Sequence, residues 1–172
     1  MLRVELSRAD TEALEIRERL HLPAGSGGED VVSTGEMGLE GLIEKGERGY
    51  LLQATARGEA TLRCVRCLKE FPFSFAEKVE LELLPTTLAP TEEEIRLNPR
   101  DLDVRFFEEG VLDLVELVAE QLQLAVPMKP LCDESCRGLC PHCGADLNRG
   151  LCACPRNRDE RWGPLQHWRP GR

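Results

Sequence analysis

The sequence predicts an α+β fold: a strand-rich antiparallel body with one core helix and a C-terminal, cysteine-rich, zinc-ribbon-like extension. Three observations predict it. Apolar residues alternate with period two between Gly49 and Leu84, an apolar stripe of helical period runs through residues 113–124, and six of the eight cysteines follow Leu131. A chain of 172 residues is one domain, or one domain with a small appendage, and can bury a core without covalent staples. Residues 1–128 are expected to form the acidic body, and residues 129–172 a basic tail packed on it.

Taken in order, residues 9–20 read as a short helix, and residues 23–36, with Pro23 and glycines at 25, 27, 28 and 35, as a loop. In the first clear strand Leu51, Gln53, Thr55, Arg57 and Glu59 share one face, and Leu52, Ala54 and Ala56 the other. Phe71, Phe73 and Phe75 then alternate, followed by Val79, Leu81 and Leu83. These phenylalanines fit a base-stacking platform or a buried strand face, and the buried face is the simpler reading. Residues 85–103, with three prolines and a run of glutamates, read as a long acidic loop. Over 113–124, Asp113 is the expected N-cap with Glu116 three residues on, and Leu114, Val115, Val118 and Leu122 form the stripe. Pro127 and Pro130 end it.

Composition narrows the function. The net charge of −9 argues against a protein that grips nucleic acid over its whole surface. It divides unevenly, however: residues 1–128 carry −12 and residues 129–172 carry +3. Any nucleic-acid contact is therefore expected at the tail or beside the first cysteine pair. Charges throughout residues 1–20 leave no apolar core for a signal peptide, and no run approaches the ~18 apolar residues that span a bilayer. The expectation is a cytoplasmic protein without membrane contact, in a compartment where thiols stay reduced and clustered cysteines hold metal.

Cys140-Pro141-His142-Cys143-Gly144 followed by Cys152-Ala153-Cys154 is the most specific local signal. A C-x2-C turn brings two thiolates to one ion while backbone N–H groups face the sulfurs, and the C-x-C pair completes a tetrahedral four-thiolate zinc site. Cys64 and Cys67, with Cys132 and Cys136, supply a second set of four. Cys64 and Cys67 could instead be a redox dithiol, but the following Phe71-Pro72-Phe73-Ser74-Phe75 reads as a strand, not the helix that lowers a redox thiol's pKa. Cys136, Cys140 and Cys143 also match the C-x3-C-x2-C spacing of radical iron–sulfur enzymes, yet only 29 residues follow Cys143, too few for their barrel. His142 is not needed as a ligand beside four thiolates; His21 and His167 stand alone. Arg57, Arg63, Arg66 and Lys69 around the first knuckle are candidate RNA contacts, or simply a solvated face. No phosphate loop, dinucleotide fingerprint, catalytic triad or carboxylate pair is present, so no enzyme activity and no small-molecule substrate are expected.

The string Cys64-Val65-Arg66-Cys67-Leu68-Lys69-Glu70-Phe71 resembles the C-x-R-C-L-x-x-F element of the YceD family of large ribosomal RNA subunit accumulation proteins. Three later segments are similar to that family as well: Leu112 to Glu116 with Glu120-Gln121 and Leu124 to Pro127, then Leu131 to Gly144, then Asp146-Leu147-Asn148 before Cys152 and Cys154. The chain departs from the family pattern at Asp146, where Asn is frequent, and at Asp159-Glu160-Arg161. The resemblance implies a non-enzymatic role in the accumulation or processing of large-subunit ribosomal RNA. The expected partners are precursor RNA or a pre-ribosomal particle, or alternatively a basic ribosomal protein on the acidic body.

Overall fold

A computed structural model describes residues 2–91, 94, 96 and 102–154. Five strands form one sheet in the order β2-β3-β4-β5-β6, where β2 is Leu14–His21, β3 Val31–Lys45, β4 Tyr50–Arg63, β5 Glu70–Pro85 and β6 Val104–Phe107. The first four are antiparallel neighbours; β6 joins parallel to β5, so the sheet is antiparallel except at this edge. A two-stranded sheet pairs β1 (Arg3–Glu5) with β7 (Val111–Asp113), which runs directly into helix α1 (Leu114–Ala125).

Alternation decides which face of the sheet is covered. Leu52, Ala54, Ala56, Ala60 and Leu62 of β4 are buried, while Leu51, Gln53, Arg57 and Glu59 are exposed, as the period-two pattern predicts. The register places Phe75 opposite Gly58, Phe73 opposite Ala60 and Phe71 opposite Leu62, all on the buried face. The phenylalanines are therefore core: Phe75 is buried, and Phe71 and Phe73 pack partly buried against the same cluster. Helix α1 closes that face with Leu114, Leu117, Val118 and Leu122, each fully buried and each contributing about 1.5–3 kcal/mol of apolar transfer. Val115 is only partly buried, and Leu117 takes its place in the stripe.

Asp113 caps α1 as predicted, accepting the backbone N–H groups of Val115 and Glu116 at 3.0 and 3.2 Å. Glu116 is drawn away to Arg105, which also pairs with Glu120, tying strand β6 to the helix. The sheet is closely packed at Gly41, opposite Ala54, where a Cβ would lie 2.2 Å from the Gln53 carbonyl oxygen. Among the described residues, no polar or charged side chain is buried, and no helix is long and apolar enough to cross a membrane.

Three sequence expectations need correction. Residues 9–20 are not a helix: a 3-10 turn spans Leu6–Ala9, and β2 follows. The alternating Glu and Arg residues favour helix locally, but Ile16 and Leu20 are an even number of residues apart, and pairing of β2 with β3 buries both on one sheet face. The loop predicted over 23–36 ends at Asp30, because Val31 and Val32 begin β3; the glycine at 35 sits at a register irregularity within that strand, not in a loop. The acidic loop predicted over 85–103 begins with the last residue of β5 and a 3-10 turn at Thr86–Leu88; residues 92, 93, 95 and 97–101 lie outside the described residues.

Candidate metal centres

The β4–β5 hairpin does not close with an ordinary turn. Arg63 pairs with Glu70, and the six residues between them form a knuckle that turns two cysteines toward the molecule. The Leu68 N–H donates to the Cys64 carbonyl at 2.9 Å, and the Cys64 N–H to the Lys69 carbonyl at 2.8 Å. Cys140 to Ala145 repeats this geometry: the Gly144 N–H donates to the Cys140 carbonyl at 2.9 Å, and the Cys140 N–H to the Ala145 carbonyl at 2.8 Å. In both, the residue after the second cysteine has positive φ, +60° at Leu68 and +71° at Gly144.

The loop after α1 brings Cys132 and Cys136 to the first knuckle. The Val65 N–H donates to the Pro130 carbonyl at 3.0 Å, and the Leu139 N–H to the Arg66 carbonyl at 3.1 Å. Asp133 accepts the Ser135 N–H at 2.8 Å, and its carbonyl accepts the Cys136 N–H at 3.0 Å, which fixes the turn between the two cysteines. The Sγ atoms of Cys64, Cys67, Cys132 and Cys136 then lie within 4.8 Å of one another, as do those of Cys140, Cys143, Cys152 and Cys154. The Cys64–Cys136 and Cys67–Cys132 sulfurs are 3.8 and 3.5 Å apart. That is far beyond a disulfide bond and close to the ~3.8 Å between sulfurs 2.3 Å from a tetrahedral zinc. Both sets of four thiols could hold a metal ion. The iron–sulfur spacing is split between them, since Cys136 belongs to one cluster and Cys140 and Cys143 to the other.

The clusters differ in exposure. Cys64, Cys67 and Cys136 are buried with Phe71, Leu131 and Leu139 around them, whereas Cys143 is exposed and Cys152 and Cys154 are half-buried. Burial works to raise the Cys64 thiol, but backbone amides of Cys132, Cys67 and Arg66 outweigh it and bring it down to about 6. The Cys143 and His142 amides do the same for Cys140, also to about 6. Cys132, hydrogen-bonded to Cys67, is pushed up to about 12, and Cys154, hydrogen-bonded to Cys143, likewise to about 12. In each cluster, then, backbone amides favour the thiolate at one sulfur, while another sulfur is shifted the opposite way; in the first cluster Cys67 is raised as well as Cys132.

The four basic residues expected to meet RNA do not form one surface. Arg57 lies six residues up β4 from Arg63, about 20 Å along an extended strand, and pairs with Glu40. Arg66 donates to the carbonyls of Cys136 at 2.7 Å and Glu134 at 3.3 Å, so it clamps the second loop to the first knuckle. Lys69 pairs with Asp146 at 3.2 Å. Arg63 is exposed and forms no ion pair among the described residues. His142 is exposed, as is His21; His167 lies outside the described residues.

Sequence reasoning gave Asp146 no role, yet it joins the two clusters. It accepts the backbone and side-chain N–H groups of Asn148 at 3.0 and 2.8 Å and pairs with Lys69, while Asn148 reaches the Cys136 sulfur at 3.5 Å. The Asn148 amide above all, then Lys69, holds the Asp146 carboxyl below its ordinary 3.8. A depressed carboxyl stabilises the folded state above its unfolded pKa and stops doing so as pH falls through the folded one. Asp146→Asn is therefore expected to melt below wild type at neutral pH, and the gap should close as pH drops under 3.8; a gap of constant size down to pH 2.5 would contradict this.

The family profile described as "Large ribosomal RNA subunit accumulation protein YceD" matches residues 52–167, two-thirds of the chain, covering both knuckles and all eight cysteines. This chain belongs to the YceD family. An Arabidopsis thaliana relative, the chloroplastic large ribosomal RNA subunit accumulation protein YCED homolog 1, is 34% identical over 59 residues, 34% of this chain and 18% of that protein's length. Uncharacterized proteins of Mycobacterium tuberculosis and Mycobacterium bovis are 26% identical over 162 residues, 93% of this YceD chain and 76% of theirs. No solved structure matches it. The family is named for ribosomal RNA accumulation and not for a catalytic activity.

Proposed function

We propose that this YceD-family chain is a non-catalytic, zinc-stabilised factor that binds precursor large-subunit ribosomal RNA, or a particle containing it, in the cytoplasm and supports its accumulation. In this reading zinc is held by Cys64, Cys67, Cys132 and Cys136 and by Cys140, Cys143, Cys152 and Cys154. The observation that supports it most is the joining of two four-cysteine clusters, one at the hairpin tip and the other in the basic segment 129–172, on an otherwise acidic chain. The ions would supply folding free energy to a segment with little apolar core of its own, holding it rigid against RNA. The body would serve as a scaffold whose negative charge disfavours unselective RNA contact.

A second reading has support of its own. Among the described residues nothing covers the sheet face away from α1, and at its Leu42–Leu51 end Glu15, Glu44 and Glu80, with Glu82 paired to Arg48, outnumber the basic residues, a surface suited to a basic ribosomal protein. Sedimentation of cell extract separates the two. Co-migration with precursor large-subunit particles that is lost on RNase treatment is the expected result. Migration with free ribosomal proteins, unchanged by RNase, would establish the adaptor instead. Elemental analysis should find two zinc ions per chain; none in protein prepared without chelator would remove the metal from this proposal.

A further inference from the structure

The two knuckles share one backbone path but not one residue at its most demanding position. A residue with φ near +60° to +70° is favoured as glycine, because a Cβ there crowds the backbone. The second knuckle has Gly144 at this position; the first has Leu68, at φ +60°. Leucine brings little packing in return among the described residues, since Leu68 is 59% exposed and Val65, three residues earlier on the same tip, is 44% exposed. Among the described residues, Leu68 belongs to neither buried apolar cluster. A residue that strains the backbone and projects into solvent is best explained by what it touches outside the protein.

The charges around the tip indicate the kind of partner. Arg63 is exposed and forms no ion pair among the described residues. Arg66 donates to carbonyl oxygens and pairs with no carboxylate among the described residues. Exposed Lys129 precedes Pro130, whose carbonyl accepts the Val65 N–H. The segment from Arg63 to Lys69 contains no acidic residue in a chain whose first 128 residues carry −12, and acids return only at its margins, with Glu70 opposite Arg63 and Asp133 and Glu134 in the loop that Arg66 holds. An apolar point between cations suits an anionic polymer with flat apolar faces, and it disfavours a basic protein.

We propose that Leu68, with Val65 beside it, is an apolar anchor on which an unpaired base of RNA packs, while Arg63, Arg66 and Lys129 meet the flanking phosphates. This rests on the RNA-binding reading above and assigns it a site. A base that packs on a side chain must be unstacked, so the expected target is a loop or single-stranded stretch, not a continuous duplex.

The test uses the full chain carrying zinc and transcribed precursor large-subunit ribosomal RNA, with Leu68→Gly and Leu68→Asn compared to wild type. Both replacements tolerate the left-handed backbone, so both should keep the zinc content and melt at or above the wild-type temperature. Binding should nonetheless weaken in both, by about tenfold at most, since that is already near the lower end of what a base–aromatic stack provides and leucine has no ring. Competition by single-stranded RNA should exceed that by a duplex of the same length. Wild-type binding that survives both substitutions unchanged would overturn the anchor and leave the RNA reading standing. No binding of the RNA by wild type would overturn both, and restoration of binding by an acidic protein fraction alone would point the tip to a protein. A lower melting temperature in Leu68→Gly would show that the side chain supports the fold and would also refute the anchor.

Discussion

Cys67→Ser is expected to abolish the folded state at physiological temperature and to lower the zinc content from two ions per chain to one. The sulfur is buried where β4 and β5 meet, 3.5 Å from Cys132, and its three partners are brought together by two separate segments. A structural four-thiolate zinc site contributes about 10–16 kcal/mol of apparent binding free energy, which is also folding free energy. A domain's whole stability is about 5–15 kcal/mol, so losing one ligand of a buried site consumes most of it. Cys143→Ser should also cost one zinc, yet its effect should stay local, because Cys143 is exposed and no residue of the sheet contributes to its cluster. Zinc analysis with thermal melts of both variants checks this. Equal melting temperatures for the two would show that the buried cluster is not a structural clamp.

The second large effect is expected at a residue that has no side chain. Gly138 has φ +75°, and a Cβ there would lie 2.8 Å from the Arg66 carbonyl oxygen and 3.2 Å from the Arg66 Cβ. Leu139, next in the chain, donates its N–H to that same carbonyl, so neither side can retreat without losing the bond. Gly138→Ala therefore combines a left-handed alanine with a clash against backbone, about 2–4 kcal/mol together. Because Gly138 lies between Cys136 and Cys140, the substitution should loosen both clusters at once, and chelator should remove both ions faster than from wild type. Unchanged release of either ion would count against mechanical coupling of the two.

Which parts of this could be read from the sequence follows from where the information lies. The strand faces of β4 and β5, the Asp113 cap and the cysteine spacings are local patterns, and each was legible. Residues 14–21 were not, because their charged residues favour helix locally and only the partner strand β3 selects the extended form. The parallel seat of β6 depends on a crossover that no spacing records. The grouping of the eight cysteines could be read as two pairs of pairs, but the relative burial of the two clusters could not. The compact C-terminal motif is the more exposed of the two, and the one divided across the chain is the more buried. Lys69 looked like a free cation because the carboxylate that engages it, Asp146, lies 77 residues on in the chain, and the hold of Arg66 on the Glu134 and Cys136 carbonyls was likewise beyond any local pattern. The position of Leu68 was the one missed signal that lay in plain sequence, through its equivalence to Gly144 after a C-x2-C pair.

The division of the buried cluster between Cys67 and Cys132, 65 residues apart, also has a consequence for how the protein is made. Cross-linking a loop of that length removes about 4 kcal/mol of unfolded-chain entropy in the loop-closure model, more than a link within a single knuckle could. The link cannot form until the C-terminal ligands have been synthesised. A chain still emerging from the ribosome displays β4 and β5 with an open knuckle holding two of four ligands, and β6, β7 and α1 are enclosed within the loop only when Cys132 and Cys136 arrive. If this cluster holds an ion as proposed, its capture is a late event in biosynthesis, and a loaded ion would mark a chain whose core has already been translated through to its closing helix.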